Sequence, residues 1–298
     1  MKELGRLLTA MVTPFDEAGE VDYEQAKKLA VALLESGSDG IVLVATTGES
    51  PTLLREEEVR LLTEVKSAIG DRGSLVAYTG SNSTAEALEA TRNAERVGVD
   101  ACLLVVPYYN KPTQEGLYQH FKVVAQATSL PCILYNVPSR TVVNLTADTA
   151  IRLSQIDNII GIKEASGNLD QIARIISGAQ KGFRVWSGND NDTFLILTLG
   201  GYGAVSVASH IVGKQIKAMI DNYLAGRIDA AAKIHRHLLP LVDALFVVAN
   251  PVPVKYALNH IGFRVGKPRM PLLEPDEKTA AQIRDVLAQH QMDLPLPK

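Results

Sequence analysis

The feature that most constrains this chain is a strict alternation. Short apolar runs and amphipathic stretches take turns from near the start to about residue 225. The runs are Leu7–Val12, Gly40–Val44, Leu75–Thr79, Ala101–Val106, Cys132–Asn136, Ile159–Lys163, Phe183–Ser187 and Gly203–Val207. They are rich in Val, Ile and Leu and apolar on successive residues, the pattern of strands covered on both faces. The stretches between them carry helical spacing: Tyr23–Ser36, with Ala26, Leu29, Ala30 and Leu33 on one side, then Glu56–Ile69, Thr84–Val97, Gln114–Thr128, Thr146–Ser154, Leu169–Gly178, Thr193–Leu199 and Gly213–Ala225. Eight strand–helix units in a row favour a closed (β/α)8 barrel over an open doubly wound sheet. Residues 226–298 add at least two helical patterns, Ile228–Val248 and Lys278–Gln289, with Pro251 and Pro253 at the join. The expected organisation is a barrel over 1–225 and a helical C-terminal extension over 226–298, packed on it.

Composition fits that reading and narrows the function. The 298 residues are 46% hydrophobic and 21% charged, ample for a large core. A net charge of −3, without basic runs, argues against nucleic acid as a partner. The N-terminus has too short an apolar stretch for a secretory signal, and no run approaches a membrane span. Cys102 and Cys132 each lie inside an apolar run and read as buried free thiols. The expected address is the cytoplasm, with no membrane association.

In a barrel of this kind the chemistry sits just after the strands, at their C-terminal ends. Lys163 closes the run Ile159-Ile160-Gly161-Ile162-Lys163. Burial lowers the pKa of such an amine and makes it a nucleophile toward carbonyls. The plainer alternative is a rim lysine paired with Glu164 or Asp170. Thr46 and Thr47, before Gly48, offer hydroxyls and backbone N–H groups that suit a small carboxylate, or else cap the next helix. Tyr108 and Tyr109 point in different directions, so one can relay a proton while the other packs or crosses an interface. Tyr135 sits at the barrel mouth one strand from Lys163, where a phenol can serve a carbonyl becoming an imine. Arg140, in the loop beyond it, can grip a substrate carboxylate through a bidentate fork or form a surface ion pair. Asn189-Asp190-Asn191-Asp192 lacks the Gly and Glu of a calcium loop and reads as a polar turn capping the next helix. His235 and His237 show no metal spacing, and Gly200-Gly201-Tyr202-Gly203 precedes a strand, unlike a dinucleotide fingerprint.

Taken in order, TTGES, PYYNKPTQEGLYQHF, LYNVPSRT, IIGIKEASGN, SGND and NPVPVKYAL resemble the 4-hydroxy-tetrahydrodipicolinate synthase (dihydrodipicolinate synthase) family. That family sits in a superfamily with N-acetylneuraminate lyase and keto-deoxy-sugar aldolases. The likeness covers nearly the whole chain and weakens past about residue 262. It implies a Schiff base between Lys163 and pyruvate, with Tyr135 passing protons. It implies that Thr46 links Tyr135 to Tyr109, the latter reaching in from a neighbouring subunit. Thr47 would bind the pyruvate carboxylate, and Arg140 the carboxylate of L-aspartate 4-semialdehyde. Gly188 and Val205 would line the site. It further implies a homo-oligomer, mostly a dimer of dimers, and no cofactor or metal.

The resemblance also has departures. Ala45 replaces a common Gly, tolerable if φ there stays negative. Ser50, Asn82, Glu86 and Tyr108 match positions that contact the inhibitor lysine in some members. Arg55 and Glu58 stand where inhibited members often carry histidines, and Pro51 replaces a small residue, so weak or absent inhibition is expected. The rival functions are a pyruvate aldolase for a sugar-derived keto acid and a barrel without catalysis.

Overall fold

The computed structural model describes residues 3–296. Its eight strands are β1 (Leu7–Ala10), β2 (Gly40–Leu43), β3 (Ser74–Tyr78), β4 (Ala101–Val105), β5 (Cys132–Asn136), β6 (Ile159–Glu164), β7 (Arg184–Ser187) and β8 (Gly203–Ser206). They join in sequence order into a closed barrel. Each lies within a residue or two of an apolar run, and almost every strand residue is buried. That double-sided burial is why the runs are apolar throughout instead of alternating.

The intervening helices are α1 (Tyr23–Glu35), α2 (Arg55–Ile69), α3 (Thr84–Val97), α4 (Gln114–Gln126), α5 (Pro138–Thr141), α6 (Ala147–Leu153), α7 (Leu169–Gly178), α8 (Thr193–Thr198) and α9 (Ser209–Leu224). Several begin where the sequence supplies a side-chain acceptor for an orphan N–H. Asp22 caps Gln25, Ser83 caps Glu86, Thr113 caps Gly116, Thr146 caps Thr149 and Asn168 caps Gln171. Each such cap is worth about 1 kcal/mol. After the barrel follow α10 (Ile228–Leu245), α11 (Val252–His260) and α12 (Glu277–Leu287).

Three expectations need correction. The four-residue α5 and the helix α11 lie where the sequence reads as loop and Pro-marked join; in both, Pro occupies the first turn, where its missing N–H costs nothing. α9 starts at Ser209 instead of Gly213, because one turn precedes a kink at Val212 (φ −127°, ψ 40°). In the Asn189–Asp192 segment, neither the cap residue of the 3-10 turn, Asn189, nor that of α8, Asp192, makes a side-chain capping bond. Asp190–Asp192 forms a 3-10 turn, and Asn189 Nδ2 donates to Asp192 Oδ2 at 2.9 Å.

By its contacts the chain forms two compact units. One is Leu75–Val205 with residues 3–6; the other is Leu7–Ser74 with residues 206–296. In the first, Cys102 and Cys132 stand opposite each other on β4 and β5 as buried free thiols. Burial pushes the Cys102 thiol up to about 12 and Cys132 well above its ordinary value, so neither is a nucleophile at neutral pH. Among the described residues, no helix is long and apolar enough to cross a membrane.

Candidate active site

In the Leu75–Val205 unit, β5 and β6 run side by side with Tyr135 opposite Lys163. Neighbouring parallel strands point paired residues the same way, so both side chains rise together. Lys163 Nζ lies 4.3 Å from the centre of the Tyr135 ring. Both residues are 5% exposed. Burial drives the Lys163 pKa down to about 8; Asp190 pulls it up and Arg140 pushes it down, both more weakly. Among the described residues, no carboxylate stands within ion-pair distance of this amine. The alternative of a rim lysine paired with Glu164 or Asp170 therefore fails.

Glu164 points the other way, as the next residue on a strand must. It accepts from Asn136 Nδ2 with both oxygens at 3.1 Å, and from the Ser166 N–H at 2.8 Å. Asn136 also donates to Asn144 Oδ1, and Asn144 donates to Gln171. Asn136 and Glu164 directly follow Tyr135 and Lys163. This buried polar cluster therefore ties together the two strand ends that carry the phenol and the amine. Burial raises the Glu164 pKa above the usual carboxylate value, against the pull of these donors.

Gly188 closes the floor beside the amine. A Cβ there would stand 2.8 Å from Ala165 Cβ and 3.1 Å from Lys163 Cε, so a side chain at this position would crowd Ala165 and press on the lysine stem. Val205 is buried on β8. Arg140 is exposed on α5. Tyr109 is 88% exposed. Of the residues matched to lysine contacts, Asn82 and Tyr108 both offer backbone carbonyls to Asn110, and Glu86 accepts from Ser81 Oγ at 2.7 Å.

In the other unit, Thr46 and Thr47 follow β2 in a tight turn closed by Glu49 N–H to Thr46 C=O at 3.1 Å. Thr46 is partly buried and Thr47 is 3% exposed. Neither hydroxyl caps a helix: Asn250 Nδ2 donates to Thr47 Oγ1 at 2.9 Å, and α2 is preceded by Leu54. Ala45 is not among the residues with positive φ, which accommodates its methyl; the residue before it, Val44, has φ 54°. Ser50, Arg55 and Glu58 belong to this unit, with Arg55 paired to Glu58 through a short contact.

Among the described residues, the non-glycine residues of positive φ are Val44, Glu49, Tyr109, Lys111 and Val142. All lie in the segments after β2, β4 and β5. Left-handed backbone at a β-branched residue costs on the order of 1–3 kcal/mol and tends to mark functional sites. These loops carry most of the candidates chosen from sequence.

Two residues escape sequence reasoning. Lys255, on α11, is 1% exposed, and its Nζ contacts Glu49 Oε1 at 2.8 Å, Thr13 C=O at 3.0 Å and Lys267 C=O at 3.0 Å. Asn250, just before α11, holds Thr47. The available signal is a lone Lys within the apolar stretch Val252-Pro253-Val254-Lys255-Tyr256-Ala257-Leu258. Such a residue needs a buried partner.

Comparison with known proteins agrees with this geometry. Residues 3–290 match the model of the dihydrodipicolinate synthetase family. A 4-hydroxy-tetrahydrodipicolinate synthase of Dehalococcoides mccartyi is 65% identical over 296 residues, covering 99% of this chain and 100% of that one. A crystal structure of the Cyanidioschyzon merolae enzyme with lysine bound superposes with a TM-score of 0.95 at 46% identity, covering 96% of this chain and 98% of that one. The Bacillus anthracis dihydrodipicolinate synthase DapA-2 gives 0.95 at 43% identity, with both chains fully covered. With a buried, low-pKa lysine beside a tyrosine on a closed parallel barrel, and with these relatives along its whole length, the chain belongs to the dihydrodipicolinate synthetase family.

Proposed function

We propose that this protein is a 4-hydroxy-tetrahydrodipicolinate synthase, condensing pyruvate with L-aspartate 4-semialdehyde in the diaminopimelate route to lysine. One observation carries the reading: the Lys163 amine is buried, has a pKa of about 8 and lies against Tyr135. An amine near that value is neutral often enough at physiological pH to attack a ketone.

In the reaction, the Lys163 amine adds to C2 of pyruvate, and the adduct loses water to give an imine. Loss of a methyl proton gives the enamine, whose carbon attacks the aldehyde carbon of the semialdehyde. The semialdehyde's own amine then attacks the imine carbon, closes the ring and releases Lys163. Tyr135 moves the protons, assisted by Thr46 and Tyr109. Thr47 holds the pyruvate carboxylate, while Gly188 and Val205 shape the site. Arg140 binds the carboxylate of the semialdehyde through its planar fork. No metal or cofactor enters these steps.

The proposed enzyme is a homo-oligomer, most simply a dimer of dimers in which Tyr109 serves a neighbouring subunit. Its 88% exposure and left-handed backbone (φ 72°) support that role, since a strained, exposed aromatic is costly unless something covers it. The proposed location is the cytoplasm, in keeping with two free thiols.

The test compares turnover of pyruvate plus aspartate semialdehyde with cleavage of N-acetylneuraminate and of keto-deoxygluconate. The expected result is activity with the first pair alone. Preference for a sugar acid would move the protein to the rival aldolase class, and no turnover of any substrate would favour a barrel without catalysis.

A further inference from the structure

Thr47 and Glu49 belong to one turn, and residues from beyond the barrel hold both. Asn250 Nδ2 donates to Thr47 Oγ1 at 2.9 Å between two buried side chains. Lys255 grips Glu49 Oε1 at 2.8 Å, and the Arg269 N–H donates to Glu49 Oε2 at 2.8 Å. Thr13 Oγ1 donates to the Gly48 carbonyl between them at 2.7 Å. The turn is therefore fixed from several sides by residues distant in sequence.

The Asn250 contact has a chemical consequence. A threonine hydroxyl has one proton and can both accept and donate. Because its oxygen accepts from the Asn250 amide, its own proton points away from Asn250. Thr47 is only 3% exposed, and among the described residues the contact with Asn250 is the hydrogen bond its hydroxyl makes. A buried, unspent O–H donor is costly unless something accepts from it. An anionic oxygen is the acceptor that gains most.

We propose that Asn250 is a positioning residue for pyruvate: by donating to Thr47 Oγ1 it turns the Thr47 hydroxyl proton toward the substrate carboxylate. The proposal rests on Thr47 being the carboxylate holder. It assigns the segment before α11 a part in substrate affinity that acts only through Thr47.

The test is steady-state kinetics on the full-length oligomer with pyruvate varied, for Asn250→Ala, Asn250→Asp, Thr47→Val and the Thr47→Val/Asn250→Ala double variant. Asn250→Ala is expected to raise the pyruvate KM about tenfold, the worth of one hydrogen bond to a charged group. The semialdehyde KM stays at the parent value. Asn250→Asp keeps the shape but offers only acceptors, which capture the Thr47 proton. It should raise the pyruvate KM at least as much, with thermal stability near the parent's. The double variant should be no worse than Thr47→Val alone, because the two residues act as one. An unchanged pyruvate KM in both Asn250 variants, alongside a raised KM in Thr47→Val, overturns the proposal. So does an additive double variant, or a loss that falls equally on both substrates. If Thr47→Val itself leaves the pyruvate KM unchanged, the carboxylate reading of Thr47 is what fails, and the proposal falls with it.

Discussion

Tyr135 and Lys163 are register partners on adjacent parallel strands, and the amine of one lies 4.3 Å from the ring centre of the other. Two consequences follow for the chemistry. The phenol travels with the nucleophile, since one strand ladder sets both. The amine rests against an aromatic face and not against a carboxylate, so burial controls its pKa.

Imine formation should therefore depend on pH in a defined way. The Lys163 pKa is lowered from 10.5 to about 8, so the neutral, nucleophilic form appears as pH rises through that value. The rate of imine formation with saturating pyruvate, followed by stopped-flow quench with borohydride, should climb about tenfold per pH unit well below 8 and level above it. A rate that keeps climbing to pH 10 would mean an unperturbed lysine.

Arg140 should act on the second substrate and on the amine. Arg140→Ala is expected to lower kcat/KM for the semialdehyde by about 10–100-fold, as loss of a charge-assisted pair does. Pyruvate should still form its imine. Because Arg140 helps hold down the Lys163 pKa, the pH midpoint of imine formation should move alkaline in the variant. Full turnover with the semialdehyde would remove Arg140 from the recognition of that substrate.

The Lys255–Glu49 pair should matter for folding. Both side chains are 1% exposed, and burial pulls Lys255 down to about 8 against the opposing pull of Glu49. Lys255→Met leaves the Glu49 carboxylate buried without its partner and should cost about 3–5 kcal/mol in urea unfolding. Lys255→Met combined with Glu49→Gln should recover part of that loss. If the double variant were less stable than Lys255→Met, charge pairing would not be what Lys255 supplies.

Feedback by lysine should be weak. Arg55 and Glu58 pair with each other, and Pro51 stiffens the turn between Ser50 and Thr52. A dose–response curve with L-lysine should show half-inhibition above about 1 mM, the affinity left to a few polar contacts without full charge matching. Half-inhibition at sub-millimolar lysine would contradict this, and would place Asn82 and Glu86 in a working allosteric cleft.

Much of this protein can be read along the chain. Runs such as Ala101–Val105 are legible as strands because both faces are buried, which removes polar residues from every position. Caps such as Asn168 are legible because the acceptor sits three residues from its donor. Lys163 and Tyr135 stand out because a polar end on an apolar strand has few structural explanations. Asn250 and Lys255 do not, because their partners Thr47 and Glu49 lie 203 and 206 residues away. The lone Lys255 in its apolar stretch signals that it needs a buried partner, but local pattern does not say which residue that is. Nor does it reveal α5 and α11, where prolines that read as breakers instead occupy the first turn of a helix.

The central claim is that Lys163 forms the covalent bond to pyruvate, and borohydride trapping tests it most directly. The protein incubated with pyruvate and sodium borohydride should lose activity and gain the mass of one reduced pyruvyl adduct per chain. Peptide mapping should place that adduct on Lys163, and Lys163→Ala should gain nothing. An unmodified protein, or an adduct on any other lysine, would contradict the account.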